Sequence, residues 1–226
     1  MLLTINKVLS LQEVEHCRQQ LASATWQAGA LTAGASAARV KTNLQVDPHC
    51  DIARALSSAL VKKLHTWPEF VSAALPHKIF PPRFNCYQQG GHYGLHTDSA
   101  ILRLDNGEAL RGDISGTLFL SEPDSYEGGE LMIETRFGAQ SVKLAAGDLL
   151  LYPASSLHEV RPVTSGQRLA AFFWVQSMVA SDDHREKLFS LDQSIQVLSS
   201  ERGADDAEVL NLSALYHNLL RDWATV

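Results

Sequence analysis

The segment GGHYGLHTDS (90–99) sets His96 and Asp98 two residues apart in a glycine-flanked run. Imidazole nitrogen and carboxylate oxygen are donors that divalent first-row metals accept, and residues i and i+2 share a face on an extended strand. Spacing alone says little. With 9 His and 25 acidic residues in 226, a His-x-acid pair should arise roughly once by chance. The chain holds three: His49-Cys50-Asp51, His96-Thr97-Asp98 and His184-Arg185-Glu186.

Their surroundings separate them. Asp51 opens an apolar-periodic segment (Ile52, Leu56, Leu60, Leu64) and reads as a helix N-cap. His184 and Glu186 fall inside another helical pattern, where i and i+2 diverge by about 200°, and read as its solvated side. Only His96 and Asp98 end a strand-like run in a β-rich zone, so they can point the same way and chelate one ion. A third donor, His158, opens the strand after LLLYPASSL. In a jelly roll a late strand can fold back beside an early one. Two imidazoles and one carboxylate on one face of a metal, with the other face open, form the triad of non-haem Fe(II) oxygenases. Taken alone, His158 reads equally well as a structural or surface histidine.

Arg168 follows the turn-like TSGQ (164–167). If that turn closes a hairpin, positions 163 and 168 are opposed and Arg168 lies about five residues along the ladder from His158, roughly 15 Å at ~3.3 Å per residue. An extended arginine and a five-carbon diacid span such a gap, one end on the metal and the other on the guanidinium through two parallel hydrogen bonds. Arg168 shares strand parity with Ala170, Phe172 and Trp174. An arginine on that inward face needs an anionic partner.

The elements that must position these groups fall into three zones. Residues 1–76 read as a strand/helix segment packing on the core, with a capping-box pair at Ser10 and Glu13 and a strand at VKTNLQV (40–46). Residues 77–178 carry six β-like runs in 116–121, 129–134, 140–145, 148–153, 158–163 and 168–175, separated by turn-rich stretches. That density predicts a β-sandwich or jelly roll. Residues 179–226 read as a helical extension, its apolar stripe ending in Leu215, Tyr216, Leu219 and Trp223. The stripe packs on the barrel or forms a homodimer interface. The predicted class is α+β, with helical segments at both ends of that β core.

Composition narrows the function. A net charge of −6 argues against a nucleic-acid partner. No apolar stretch approaches the ~18 residues of a membrane span. Cys17, Cys50 and Cys86 form no CxxC, so neither a disulfide framework nor structural zinc is expected, and a reducing, cytoplasmic compartment is.

GGHYGLHTD, ISGTLFLSEPDSYEGGELMIE, AAGDLLLYPASSLHEVRPVTSGQR and AAFFWVQS resemble the bacterial PKHD-type hydroxylases, prolyl/lysyl-hydroxylase-domain-like members of the Fe(II)/2-oxoglutarate dioxygenases. WQAGALTAG (26–34), VKTNLQ (40–45) and the helical tail extend the resemblance over nearly the whole chain. It implies a double-stranded β-helix (jelly roll) core, iron on His96, Asp98 and His158, the distal carboxylate of 2-oxoglutarate on Arg168, O₂ as second cosubstrate, and a link to L-ascorbate, which returns oxidised iron to Fe(II). Many relatives place Ser two residues after this arginine. Here the position is Ala170, and Tyr87, which reads equally as a core aromatic, is placed to supply the hydroxyl. Arg111, Asp113 and Ser115 alternate as a solvated edge strand would, with the substrate entrance as the other reading. Cys86 reads as a small core residue.

The resulting expectation is an Fe(II)- and 2-oxoglutarate-dependent dioxygenase that hydroxylates a C–H bond of a small-molecule or peptide substrate, releasing succinate and CO₂. Its rivals are a non-catalytic metal/2-oxoglutarate sensor and an oxidative demethylase of the same fold.

Overall fold

A computed structural model of the chain describes residues 1–32 and 37–225, so residues 33 and 34 of the segment 26–34 lie outside the described residues. Two antiparallel sheets carry the fold. The larger, of eight strands, runs Leu3–Ile5, Leu149–Pro153, Ile114–Phe119, Arg168–Ser177, Arg83–Tyr87, Leu44–Val46, Trp26–Ala28 in spatial order. Pro76–Ile79 pairs with the far half of Arg168–Ser177. The smaller, of five, runs Gly138–Val142, Leu131–Thr135, His158–Val160, His92–His96, Lys41–Thr42.

Strand periodicity decides which residues meet. On Leu149–Pro153, Leu149 and Leu151 turn towards a helical layer, while Leu150 and Tyr152 turn towards the small sheet. A strand buried on both faces reads as a continuous apolar run, and that is why LLLY does not alternate. The helical layer is Leu11–Ala22, Asp51–His65 and Pro68–Ala74, whose Leu21, Leu60, Leu64 and Phe70 pack on Phe84, Leu118 and Phe173. At roughly 1.5–3 kcal/mol for each fully buried aliphatic or aromatic side chain, this layer folds with the sheets. Ser10 and Glu13 form the expected capping box. On the second helix the cap is Cys50, whose Sγ accepts from the Ala53 amide at 3.4 Å. Asp51 is the first helical residue instead, its charge beside the positive end of the helix.

Three expectations about the strands are corrected. Val163–Gly166 does not close a hairpin onto Arg168. It pairs with Tyr126–Gly128, and Gly166 takes φ +73° where a Cβ would meet the Ser125 carbonyl oxygen at 2.3 Å. His158 and Arg168 therefore lie on different sheets. VKTNLQV is two strands: Lys41–Thr42 joins the small sheet beside His92–His96, and Leu44–Val46 joins the large one. Finally, Ser115 sits on no edge. Its strand, Ile114–Phe119, runs buried between Leu149–Pro153 and Arg168–Ser177.

Two C-terminal helices, Asp182–Arg202 and Ala207–Trp223, follow the last strand. Tyr216, Leu219 and Trp223 pack on Leu75, Val179 and Leu188. His184 stacks on Trp223, ring centroids 4.1 Å apart, so it faces this contact and not solvent. Arg185, buried, ties the first of these helices down by donating to the carbonyls of Val179 and Ala180.

Candidate active site

His96 and His158 are register partners on neighbouring antiparallel strands, so their rings share one face, centroids 4.2 Å apart. Asp98 follows just beyond the strand end. One ligand atom from each of His96, Asp98 and His158 lies within 4.8 Å of the others. His96 Nε2 is 3.9 Å from Asp98 Oδ1, and His158 Nε2 is 3.7 Å from Asp98 Oδ2.

Both rings are oriented from behind. His96 Nδ1 lies 2.8 Å from the Gly94 carbonyl oxygen, and His158 Nδ1 lies 3.0 Å from that of Ser156. A carbonyl can only accept, so each Nδ1 carries the proton and each Nε2 lone pair is free for a metal. Burial, then the neighbouring His158, holds the His96 pKa well below its ordinary value. The imidazole is therefore already in the neutral form that metals bind. The Ser115 hydroxyl donates to Asp98 Oδ2 at 2.5 Å, fixing the carboxylate. Tyr93 stacks on His96 at 3.6 Å, and Tyr152 meets His158 edge-on at 5.1 Å.

A cavity of about 240 Å³ opens beside these three residues. Arg168, on the large sheet, lines it and is 1% exposed. Its guanidinium lies over the rings of Phe119 (5.0 Å) and Tyr87 (5.4 Å), while Nε and Nη2 have no hydrogen-bond partner among the described residues. A buried, unpaired charge costs several kcal/mol, so this group fits a site that receives an anion. Gly129 lets the side chain through: at φ +69°, a Cβ there would come within 3.1 Å of Arg168 Cδ. Tyr87 faces Arg168 in register and lines the same cavity. Burial pushes its hydroxyl up to about 12, against the opposing pull of Arg168, so it stays protonated and can donate. Ala170 does not line the cavity; Thr117, from the adjoining strand, does.

The remaining sequence candidates lie elsewhere. His49 approaches Asp105 at 3.9 Å, and Asp51 pairs with Arg54 at 2.5 Å. Arg111 forks onto Asp113 at 2.7 and 3.0 Å, and the pair braces Ser177. Of that alternating trio only Ser115 reaches the cavity. Sequence reasoning missed Lys41, Arg83 and Tyr93, which also line it. The alternation in VKTNLQV was a signal for the strand, but not for the sheet that Lys41 would join.

Two antiparallel sheets around a His/Asp/His cluster and a buried arginine define the class of protein, and the comparisons agree. The 2OG-Fe(II) oxygenase superfamily matches residues 82–176, and the PKHD-type hydroxylase C-terminal domain matches 182–225. PKHD-type hydroxylases of Teredinibacter turnerae and Pseudoalteromonas atlantica are 56% and 52% identical to the chain, over 99% and 100% of both sequences respectively. The chain belongs to the PKHD-type hydroxylase family. Among solved structures, a Pseudomonas putida prolyl-4-hydroxylase shares the fold at TM-score 0.54 and 20% identity, covering 78% of this chain and 92% of its own. A Trichoplax adhaerens prolyl hydroxylase, in complex with a hypoxia inducible factor peptide fragment, does so at 0.56 and 18%, covering 83% and 86%. HygX of Streptomyces hygroscopicus, with nickel, 2-oxoglutarate and hygromycin B bound, does so at 0.54 and 16%, covering 78% and 82%.

Proposed function

We propose that this protein is an Fe(II)- and 2-oxoglutarate-dependent hydroxylase in which His96, Asp98 and His158 hold the iron. Arg168, with the Tyr87 hydroxyl, holds the distal carboxylate of 2-oxoglutarate. The observation that carries this reading is the buried Arg168, its Nε and Nη2 unpartnered among the described residues, lining the same cavity as the three donors. A site that bound metal alone has no use for it.

When bound, iron with 2-oxoglutarate and O₂ supplies the oxidation of an unactivated C–H bond, with succinate and CO₂ released. The chain's own residues orient and exclude. Gly94 and Ser156 carbonyls aim the two Nε2 atoms, Ser115 sets the carboxylate, and the Arg168 fork fixes one end of the cosubstrate. Leu131 and Tyr152, buried and lining the cavity, keep the inner wall dry. The related folds include one solved with a peptide fragment and one with hygromycin B, so the substrate here is a small molecule or a peptide. Anaerobic loading with Fe(II) and 2-oxoglutarate, followed by O₂, should yield succinate. No succinate from a protein that has retained iron would count against turnover.

The reading also includes a reducing, cytoplasmic setting, supported by three free cysteines, and a homodimer through the C-terminal helices. Much of their stripe is spent within the chain, on Leu75, Val179 and Leu188. Val197, Leu210 and Leu215 stay 56%, 55% and 48% exposed and are what a second copy would cover. Leu210→Glu with Leu215→Glu should halve the mass in solution while leaving the helical content intact. A parent chain that already sediments as a monomer would sink the dimer.

A further inference from the structure

We infer that the substrate of this site carries an oxyanion, a carboxylate or phosphate group, which Lys41 and Arg83 bind within the cavity. The inference rests on the function proposed above and names the chemistry its substrate must bring.

Lys41 enters from the edge of the small sheet, opposite Tyr93 in register. It is 9% exposed, and its ammonium lies 5.0 Å from the Tyr93 ring centre and 5.6 Å from that of Phe172. Arg83 enters from the large sheet, opposite Phe172, with its guanidinium 5.0 Å from the Phe80 ring centre. Both line the cavity. Neither makes a side-chain hydrogen bond or ion pair with any described residue. Aromatic faces hold both in place but supply no counter-charge.

They also work against each other. Burial and then the charge of Arg83 pull the Lys41 pKa down to about 8, and Asp98 opposes this. Burial lowers Arg83 too, against the pull of Asp105, an exposed carboxylate that forms no ion pair with it. Among the described residues Asp98 is the one acidic residue lining the cavity, and its charge is spent on the metal. A filled site balances without the other two cations: Fe(II) and Arg168 offset Asp98 and the dianionic cosubstrate. Lys41 and Arg83 are left over. Two cations brought together at a desolvation cost, beside a reaction centre, are pre-organised for an incoming anion. Phe80, Phe172 and Trp174, packed edge to face at 5.4 and 5.5 Å, give an apolar wall for the carbon skeleton attached to it.

The test uses the iron- and 2-oxoglutarate-loaded protein without oxygen, titrated calorimetrically with 3-phenylpropionate, phenyl phosphate and the neutral 3-phenylpropionamide. At least one anion should bind more than about 10-fold tighter than the amide, and the tighter of the two identifies the group. Lys41→Met and Arg83→Gln should each weaken that anion by about 10- to 100-fold. Lys41→Arg should retain it, and 2-oxoglutarate affinity should hardly change in any of the three. Equal binding of amide and anions, or no anion binding, overturns the inference. So do variants that lose 2-oxoglutarate while keeping the anion, since the two cations would then serve the cosubstrate. A parent that fails to bind iron and 2-oxoglutarate shows up in the loading step, and overturns the underlying function and the inference together.

Discussion

His96→Ala, Asp98→Ala and His158→Ala should each abolish iron-dependent succinate formation and cost more iron affinity than the 10- to 100-fold typical of outer-shell partners. Each removes one of three donors whose ligand atoms lie within 4.8 Å of one another. The expected loss is steep because the remaining pair cannot close a facial site. Ser115→Ala should fall in the milder range: it keeps every ligand but frees the Asp98 carboxylate from the hydroxyl that holds it at 2.5 Å. His49→Ala and His184→Ala supply the contrast. Their rings lie beside Asp105 and on Trp223, and iron retention should be unchanged. Iron content per chain, measured alongside turnover, decides the matter. A His158→Ala protein with full iron and full activity removes the triad.

The fold and half of the site were legible in the sequence for different reasons. Strand runs such as LLLYP and RLAAFFWV announce a β core because their composition is fixed by burial on both faces. The cluster of His96, Asp98 and His158 was legible because His96 ends a strand and Asp98 follows two residues on, outside any helix, where the two donors can turn to one side. The route to Arg168 was wrong even though the cavity was right. TSGQ has turn composition, but its residues complete a short strand with Tyr126–Gly128, and the chain then crosses to the other sheet. Local composition cannot distinguish a hairpin from a crossover at a glycine with positive φ.

Ser115 was misread for a related reason. Arg-x-Asp-x-Ser looks like a solvated edge, yet Arg111 and Asp113 satisfy each other and Ser177, leaving the strand from Ile114 to enter the sheet centre. For Lys41 the local signal marked a strand and nothing more. Its role depends on a break at Asn43 that assigns two halves of one alternating run to different sheets. Long-range pairing decides that, and short-range periodicity does not encode it.

The second large effect turns on Arg168. Arg168→Ala should leave iron binding intact, since the residue is no metal ligand, and should weaken 2-oxoglutarate sharply. Truncating one member of a buried charged pair costs about 2–5 kcal/mol, or roughly 30- to several-thousand-fold in affinity at about 1.4 kcal/mol per tenfold. The high end is expected, because the guanidinium is 1% exposed and water cannot replace it without opening the contact with Phe119 and Tyr87. Arg168→Lys should recover only part of the loss: an ammonium keeps the charge but not the planar two-bond fork. Tyr87→Phe separates the hydroxyl from the ring, and a loss of about 0.5–1.5 kcal/mol, the net worth of one hydrogen bond, is expected if that hydroxyl donates to the carboxylate. Removing the arginine side chain also relieves an uncompensated buried charge, so the cofactor-free Arg168→Ala protein should melt no lower than the parent. That combination, weaker cosubstrate binding with undiminished stability, is what a charge kept for a ligand produces. An Arg168→Ala protein that binds 2-oxoglutarate as tightly as the parent would remove the cosubstrate assignment, and a fall in melting temperature would show that the arginine instead serves the fold.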